Sequence, residues 1–226
     1  MKIIVINSPL FKEKRTTIEE KSIPSIGLGL IATAIKAKHF DVELIDAASL
    51  NIPLNKLRAI VIEKNPDFIC INIFTTNLDI VKEFIESINF NVHFIIGGLA
   101  AQDLYENIFN WKTLNPIDII HGDGEIIVPD ILMNNIKQQV ADEKENKRFF
   151  KVNSTSKYFV KDISLDNLDR SFLVGEPRIN HYGEPEAHII TGRGCIYNCA
   201  FCAAAKSING DIVIREKSKE SIIAEI

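Results

Sequence analysis

Five short apolar runs, Ile3–Ile6, Val42–Ile45, Phe68–Phe74, His93–Ile96 and Ile117–Ile120, recur along the first 120 residues of the chain and leave few folds open to it. Each is rich in Ile, Val or Phe and ends at turn-forming or polar residues, the mark of a buried strand. Between them, Leu28, Ile31 and Ile35, then Leu54, Leu57 and Val61, then Leu78, Val81, Ile85 and Ile88 recur at helical spacing. Successive runs start roughly 25 residues apart or more, which leaves room for the crossover helix that parallel neighbours require. The pattern predicts an α/β domain over residues 1–137, a five-stranded parallel sheet with helices on both faces.

Composition supports a sizeable core and narrows the partners. Of 226 residues, 46% are hydrophobic and 25% charged, so the chain is not disordered as a whole. With 26 Lys plus Arg against 30 Asp plus Glu and a net charge of -4, it has no cationic excess for a phosphate backbone, and nucleic acid is not expected as a partner. No apolar run approaches the roughly 18 residues of a membrane span, and the opening MKIIVINSP lacks the long apolar region of a signal peptide. A cytoplasmic location is the expectation.

Ligands of such sheets lie outside the carboxyl ends of the strands. Those ends are Asn7-Ser8-Pro9, Asp46-Ala47-Ala48, Thr75-Thr76-Asn77, Gly97-Gly98 and Gly122-Asp123-Gly124-Glu125. Paired glycines let a ligand approach the backbone, although a glycine after a parallel strand also serves the turn into the next helix. Gly27 and Gly29 do not complete a dinucleotide fingerprint, and the Ser8–Ser25 loop is too long and charged for a tight phosphate turn. Close helix packing or a bulky ligand accounts better for that pair.

The polar run QQVADEKENK, at 138–147, is the expected domain boundary. Beyond it a connector over 138–185 is expected, with RFFKVN and YFVKDI as the arms of a hairpin. Alternation then predicts a short strand at Ala187–Thr191, after which Gly192-Arg193-Gly194 releases the chain into a loop.

That loop carries Cys195, Cys199 and Cys202; Cys70 is the fourth cysteine. A disulfide framework spreads its cysteines, whereas a tight cluster points to metal or cluster ligation. Three thiolates spaced Cys-x3-Cys-x2-Cys can converge on an iron-sulfur cube and leave one iron without a protein ligand. Zinc is the competing metal and wants a fourth ligand, for which Cys70, His181 and His188 are the candidates. Cys70 sits in an apolar strand and reads as a core residue, and neither histidine has paired-ligand spacing.

The segment TGRGCIYNCAFC resembles the cluster loop of radical S-adenosylmethionine enzymes, with Phe201 as the aromatic residue before the third cysteine. SIPSIGLGLIATAIKAKHFDVELIDA, FIIGGLAA and DIIHGDGE are similar to the flavodoxin-like cobalamin-binding domain that precedes the radical domain in one large subgroup. The resemblance implies a 4Fe-4S cluster on Cys195, Cys199 and Cys202, its unique iron chelated by S-adenosylmethionine, with Phe201 beside the adenine. It implies reductive cleavage of S-adenosylmethionine, a reductant such as flavodoxin or ferredoxin, and cobalamin-dependent methyl or other radical transfer. For the corrinoid, the matching positions are Ser8, Thr75, Thr76, Asn77, Gly97, Gly98, Gly122 and Glu125. The Asp-x-His-x-x-Gly signature of a lower axial histidine is absent, and Leu99 stands where a histidine frequently follows the glycine pair.

The family's radical domain is a partial β/α barrel built from units of about 30 residues. Glu186 to Ile226 is 41 residues, enough for the first βα unit with its cluster loop, so residues 186–226 are expected to be the start of an incomplete barrel. The expectation is the amino-terminal portion of a longer or split enzyme, inactive alone and lacking its barrel half. The alternative is a non-catalytic cobalamin- or partner-binding module with a vestigial or electron-transfer cluster site.

Overall fold

The computed structural model describes residues 1–10, 24–137, 139–165, 167–174, 178–179, 182–202 and 213–225. All five expected strands form: β1 Lys2–Asn7, β2 Asp41–Asp46, β3 Phe68–Asn72, β4 His93–Gly97 and β5 Ile117–Gly122. They alternate with helices α1 Ile26–Lys36, α2 Leu54–Lys64, α3 Leu78–Glu86, α4 Ala101–Phe109 and α5 Ile127–Leu132. Neighbouring strands run parallel in the order β2-β1-β3-β4-β5. Ile4, Ile6, Ile69, Ile71 and Phe94 pack on one face against Leu57 of α2, Phe84 of α3 and Ile108 of α4. On the other, Ile3, Val5, Cys70 and Ile95 meet Ala32 and Ile35 of α1 and Val128 and Ile131 of α5. Alternate residues of one strand thus feed two separate cores, as a period of two requires.

The sheet does not stop at the fifth strand. β6 Asp142–Lys144 and β7 Lys147–Val152 form an antiparallel hairpin, and β7 lies parallel to β5 with Ile117 opposite Lys147 and Gly122 opposite Val152. The hairpin therefore begins inside the polar run. Its turn falls at Glu145-Asn146, Glu145 having φ 56°, and the expected second arm, Tyr158–Ile163, is not a strand. Phe149, Phe150 and Val152 are buried, so β7 covers the edge of β5 that a five-stranded sheet would have left open. At the opposite edge, β2 alternates exposed Asp41 and Glu43 with half-buried residues and so is not enclosed on both faces.

Beyond the sheet, β8 Arg178–Ile179 pairs with β9 Pro185–Glu186. The strand expected at Ala187–Thr191 is irregular instead. Pairing begins one residue later, where β10 Gly192–Arg193 meets β11 Arg215–Glu216 in antiparallel register, and α6 Lys219–Glu225 follows. Within α1, a Cβ on Gly29 would lie 2.9 Å from Leu168 and 3.0 Å from Leu173, whereas one on Gly27 would meet none of the described residues within 4 Å. Close packing accounts for Gly29, and among the described residues Gly27 has no such neighbour.

Candidate functional site

Asn7, Ser8 and Asn72 come together where β1 and β3 end. Asn7 Nδ2 donates to Asp46 Oδ1 and Asn72 Nδ2 to Asn7 Oδ1, each at 2.7 Å. The Ser8 amide donates to Asn72 Oδ1 at 2.9 Å, and Asn77 Nδ2 to Ser8 Oγ at 2.5 Å. These side chains are buried, where unpaired polar groups would be costly, and each satisfies its neighbour. Ser8 and Asn77 are thus engaged inside the protein, behind the rim. Thr75 and Thr76 stand exposed on the turn between β3 and α3.

Two glycines let the backbone pass close to neighbouring backbone at the ends of β4 and β5. Gly98 has φ 119°, and a Cβ there would lie 2.6 Å from the Ile73 carbonyl oxygen. Gly122 has φ 102°, and its Cβ would collide with the Val152 carbonyl. Both positions exclude side chains on conformational and steric grounds.

Between this edge, α1 and α5 opens a cavity of about 490 Å³. Its floor is Cys70, Ile95 and Ile120 of the sheet, its wall includes Gly27, Ile31 and Val128, and its rim carries Gly97, Gly98, Gly122 and Glu125. Burial pushes the Cys70 thiol up to about 12, so it stays protonated and serves as a small apolar surface, as its strand setting predicts. A second cavity of about 370 Å³ adjoins the first, lined by Leu99, Gln102, His121, Lys151, Phe159 and Cys195 among others. Gly98, Leu99, Gly122, Asp123 and Arg193 line both.

Arg193 and Arg215 tie the segment after the connector to this edge. Arg193 reaches Asp123 Oδ1 at 3.1 Å and Glu125 Oε1 at 2.5 Å. Arg215 donates to both Asp123 oxygens and, at 2.6 Å, to the Val160 carbonyl, with its guanidinium 4.2 Å from the Phe159 ring centroid. Asp123 also accepts the Val160 amide at 3.0 Å. Glu125, expected at the rim, is thereby paired with an arginine.

The cysteine loop leaves β10 at Gly194. Cys195 and Cys202 are half-buried and Cys199 is exposed; the Cys202 amide donates to the Cys199 carbonyl at 3.1 Å. The expected convergence of the three thiols is not present: among the described residues no three Cys, His, Asp or Glu side chains are grouped to hold a metal ion. Thiols become ligands on losing their protons, and binding of the metal itself organises such loops. The donor set, three thiols on one accessible loop, nonetheless has the chemistry of a cluster site. Phe201 is 93% exposed and touches neither cavity. His188 lies 3.5 Å from Glu186, and His181 is outside the described residues. No helix among the described residues is long and apolar enough to cross a membrane.

Sequence reasoning places Asp123 at the ligand edge of the sheet and Arg193 in the turn before the cysteine loop, but gives neither a role of its own. Arg215 had no local signal; only its pairing with β10 reveals it.

Residues 20–132 match the B12 binding domain family. Over 215 residues the chain is 22% identical to an uncharacterized methyltransferase, PH0819, of Pyrococcus horikoshii, covering 91% of this chain and 46% of that protein. The fold is similar to TsrM of Kitasatospora setae, a radical S-adenosylmethionine methyltransferase solved with tryptophan and a SAM analogue, with a TM-score of 0.60 and 15% identity over 99% of this chain and 44% of that one. It is also similar to OxsB, a cobalamin-dependent S-adenosylmethionine radical enzyme, with a TM-score of 0.53 and 16% identity over 99% of this chain and 31% of that one. The chain thus spans less than half the length of these proteins.

Proposed function

We propose, from the premise that the chain belongs to the B12 binding domain family, that its sheet edge holds a corrinoid beside an iron-sulfur cluster within a cobalamin-dependent radical S-adenosylmethionine enzyme. The observation that carries this reading is the shared opening: Cys195 lines the cavity that adjoins the larger one, so the cysteine loop and the family's ligand edge meet.

The residues fit a corrinoid. The apolar slot over Cys70, Ile95 and Ile120 suits the flat aromatic base of its nucleotide arm. Gly97, Gly98 and Gly122 expose backbone to its amide side arms, and Thr75 and Thr76 add hydroxyls at the rim. Ser8 and Asn77 support that rim from behind. Cys195, Cys199 and Cys202 would hold a 4Fe-4S cluster, and Phe201, the aromatic residue before the third cysteine, would lie beside the adenine ring. When bound, these groups would supply methyl carriage and the electron that cleaves S-adenosylmethionine. The protein's role is to place them side by side and shield them from water. Given the span relative to the similar proteins, completion by further barrel strands and delivery of the electron by a flavodoxin or ferredoxin belong to the same proposal.

The test uses this chain, reconstituted without air. Titration with hydroxocobalamin should shift the corrinoid absorbance bands saturably. Iron and sulfide should approach about four of each per chain, and the electron resonance signal of the reduced cluster should change when S-adenosylmethionine is added. No corrinoid shift would overturn the corrinoid reading. A corrinoid shift without iron, or with a signal that ignores S-adenosylmethionine, would favour the non-catalytic module. Formation of 5'-deoxyadenosine with dithionite should be absent from the chain alone.

A further inference from the structure

The cysteine loop closes on a pairing that its own side chains oppose. Arg193 and Arg215 are directly opposite each other in the β10–β11 register, one at each end of the stretch that carries the three cysteines. Like charges directly opposite on antiparallel strands repel. Both guanidinium groups are largely withdrawn from water, with side-chain exposures of 17% and 9%. Desolvation makes that repulsion harder to screen.

What makes the pairing possible is Asp123, itself 8% exposed, which accepts from both arginines; Glu125 takes the remaining arm of Arg193. Among the described residues Arg215 Nε is buried without a hydrogen-bond partner, and the other guanidinium nitrogens bond to Asp123 and the Val160 carbonyl. Asp123 follows Gly122 at the end of β5 and lines both cavities. The carboxylate that holds the neck of the cysteine loop shut therefore belongs to the ligand edge of the sheet.

We infer that Asp123 is a positioning residue: it neutralises the Arg193–Arg215 pair, closes the neck of the cysteine loop, and couples the state of the sheet edge to the placement of Cys195, Cys199 and Cys202. This rests on the proposed function only for what the cysteines and the edge bind; the electrostatic closure stands without it. A ligand that settles against Gly98 and Gly122 acts on the loop through one side chain.

The test is the rate at which the three loop thiols react with a water-soluble disulfide reagent in the apo chain; buried Cys70 does not contribute. Asp123→Asn should raise that rate about fivefold with the thermal midpoint of the sheet little changed, because Arg215 then loses its carboxylate and faces an Arg193 balanced by Glu125 alone. Arg215→Gln should raise it too, through loss of its ion pair with Asp123. The double variant should react no faster than Asp123→Asn, since independent contacts would multiply and coupled ones do not. Should Asp123→Asn fold poorly, Arg193→Gln and Arg193→Gln/Arg215→Gln give the same comparison from outside the sheet.

Hydroxocobalamin should slow the thiol reaction of the wild type at least twofold and leave that of Asp123→Asn unchanged. Equal rates in wild type and Asp123→Asn, multiplicative effects in the double variant, or an equal response of both proteins to hydroxocobalamin would each overturn the inference. Absence of any absorbance shift with hydroxocobalamin in the wild type would instead overturn the corrinoid reading and leave the closure to be judged on the variants alone.

Discussion

Asp118 shows how a single buried carboxylate can set a pH limit. It lies at the start of β5, at the opposite end of that strand from the cavities, and receives Arg148 Nε and Nη2 at 2.7 Å each, with His93 Nε2 3.0 Å away. Burial alone would push its carboxyl up, but the close contact with His93 and the two hydrogen bonds from Arg148 outweigh it and hold the group below its usual 3.8. A carboxyl depressed in the folded state contributes stability above the unfolded value and loses it as pH falls through the folded one. The thermal midpoint should therefore drop steeply below pH ~4. Asp118→Asn should remove some of that acid sensitivity and cost about 2 kcal/mol at neutral pH, read by denaturant unfolding. Cys70 makes a second residue-scale contrast. Cys70→Ala should cost about 1 kcal/mol and leave reconstituted iron unchanged, whereas Cys199→Ala should leave stability alone and lose most of the iron.

At the scale of one element, α1 carries two glycines with opposite consequences. Gly29 is packed against Leu168 and Leu173, and Gly27 faces the larger cavity. Gly29→Leu should overpack that contact and destabilise by about 1–3 kcal/mol. Gly27→Leu should gain up to about 0.8 kcal/mol in helix propensity while filling the slot and weakening hydroxocobalamin binding roughly tenfold. Thermal melts and absorbance titrations on the two variants separate these effects. Sequence patterning excludes a phosphate turn here and offers packing or a ligand as alternatives; it cannot say which glycine serves which, because that depends on Leu168 and Leu173, far along the chain. The same limit explains Arg215: its register with Arg193 spans the cysteine loop and leaves no local periodicity. The five strands are legible because Ile3, Phe68, Phe94 and Ile117 belong to local apolar runs that a parallel sheet buries.

For the whole molecule, the edge of β5 decides where an independent unit can end. A sheet cut at residue 137 lacks β7 and exposes the backbone of Ile117–Gly122, together with the apolar surface that Phe149, Phe150 and Val152 cover. A fragment of residues 1–137 should aggregate or melt without cooperativity, whereas one of residues 1–165 should unfold in a single transition, by circular dichroism and light scattering. The polar run at 138–147 reads as a linker because β6, Asp142–Lys144, is an exposed edge strand of charged residues, and such strands carry no apolar signal.

Of the five residues that line both cavities, Arg193 carries the longest side chain. Its guanidinium is held by Asp123 and Glu125, so the same ion pairs stand at the border of both recesses. An anionic group entering either recess meets a cation already shared between two carboxylates, and competes with both for it.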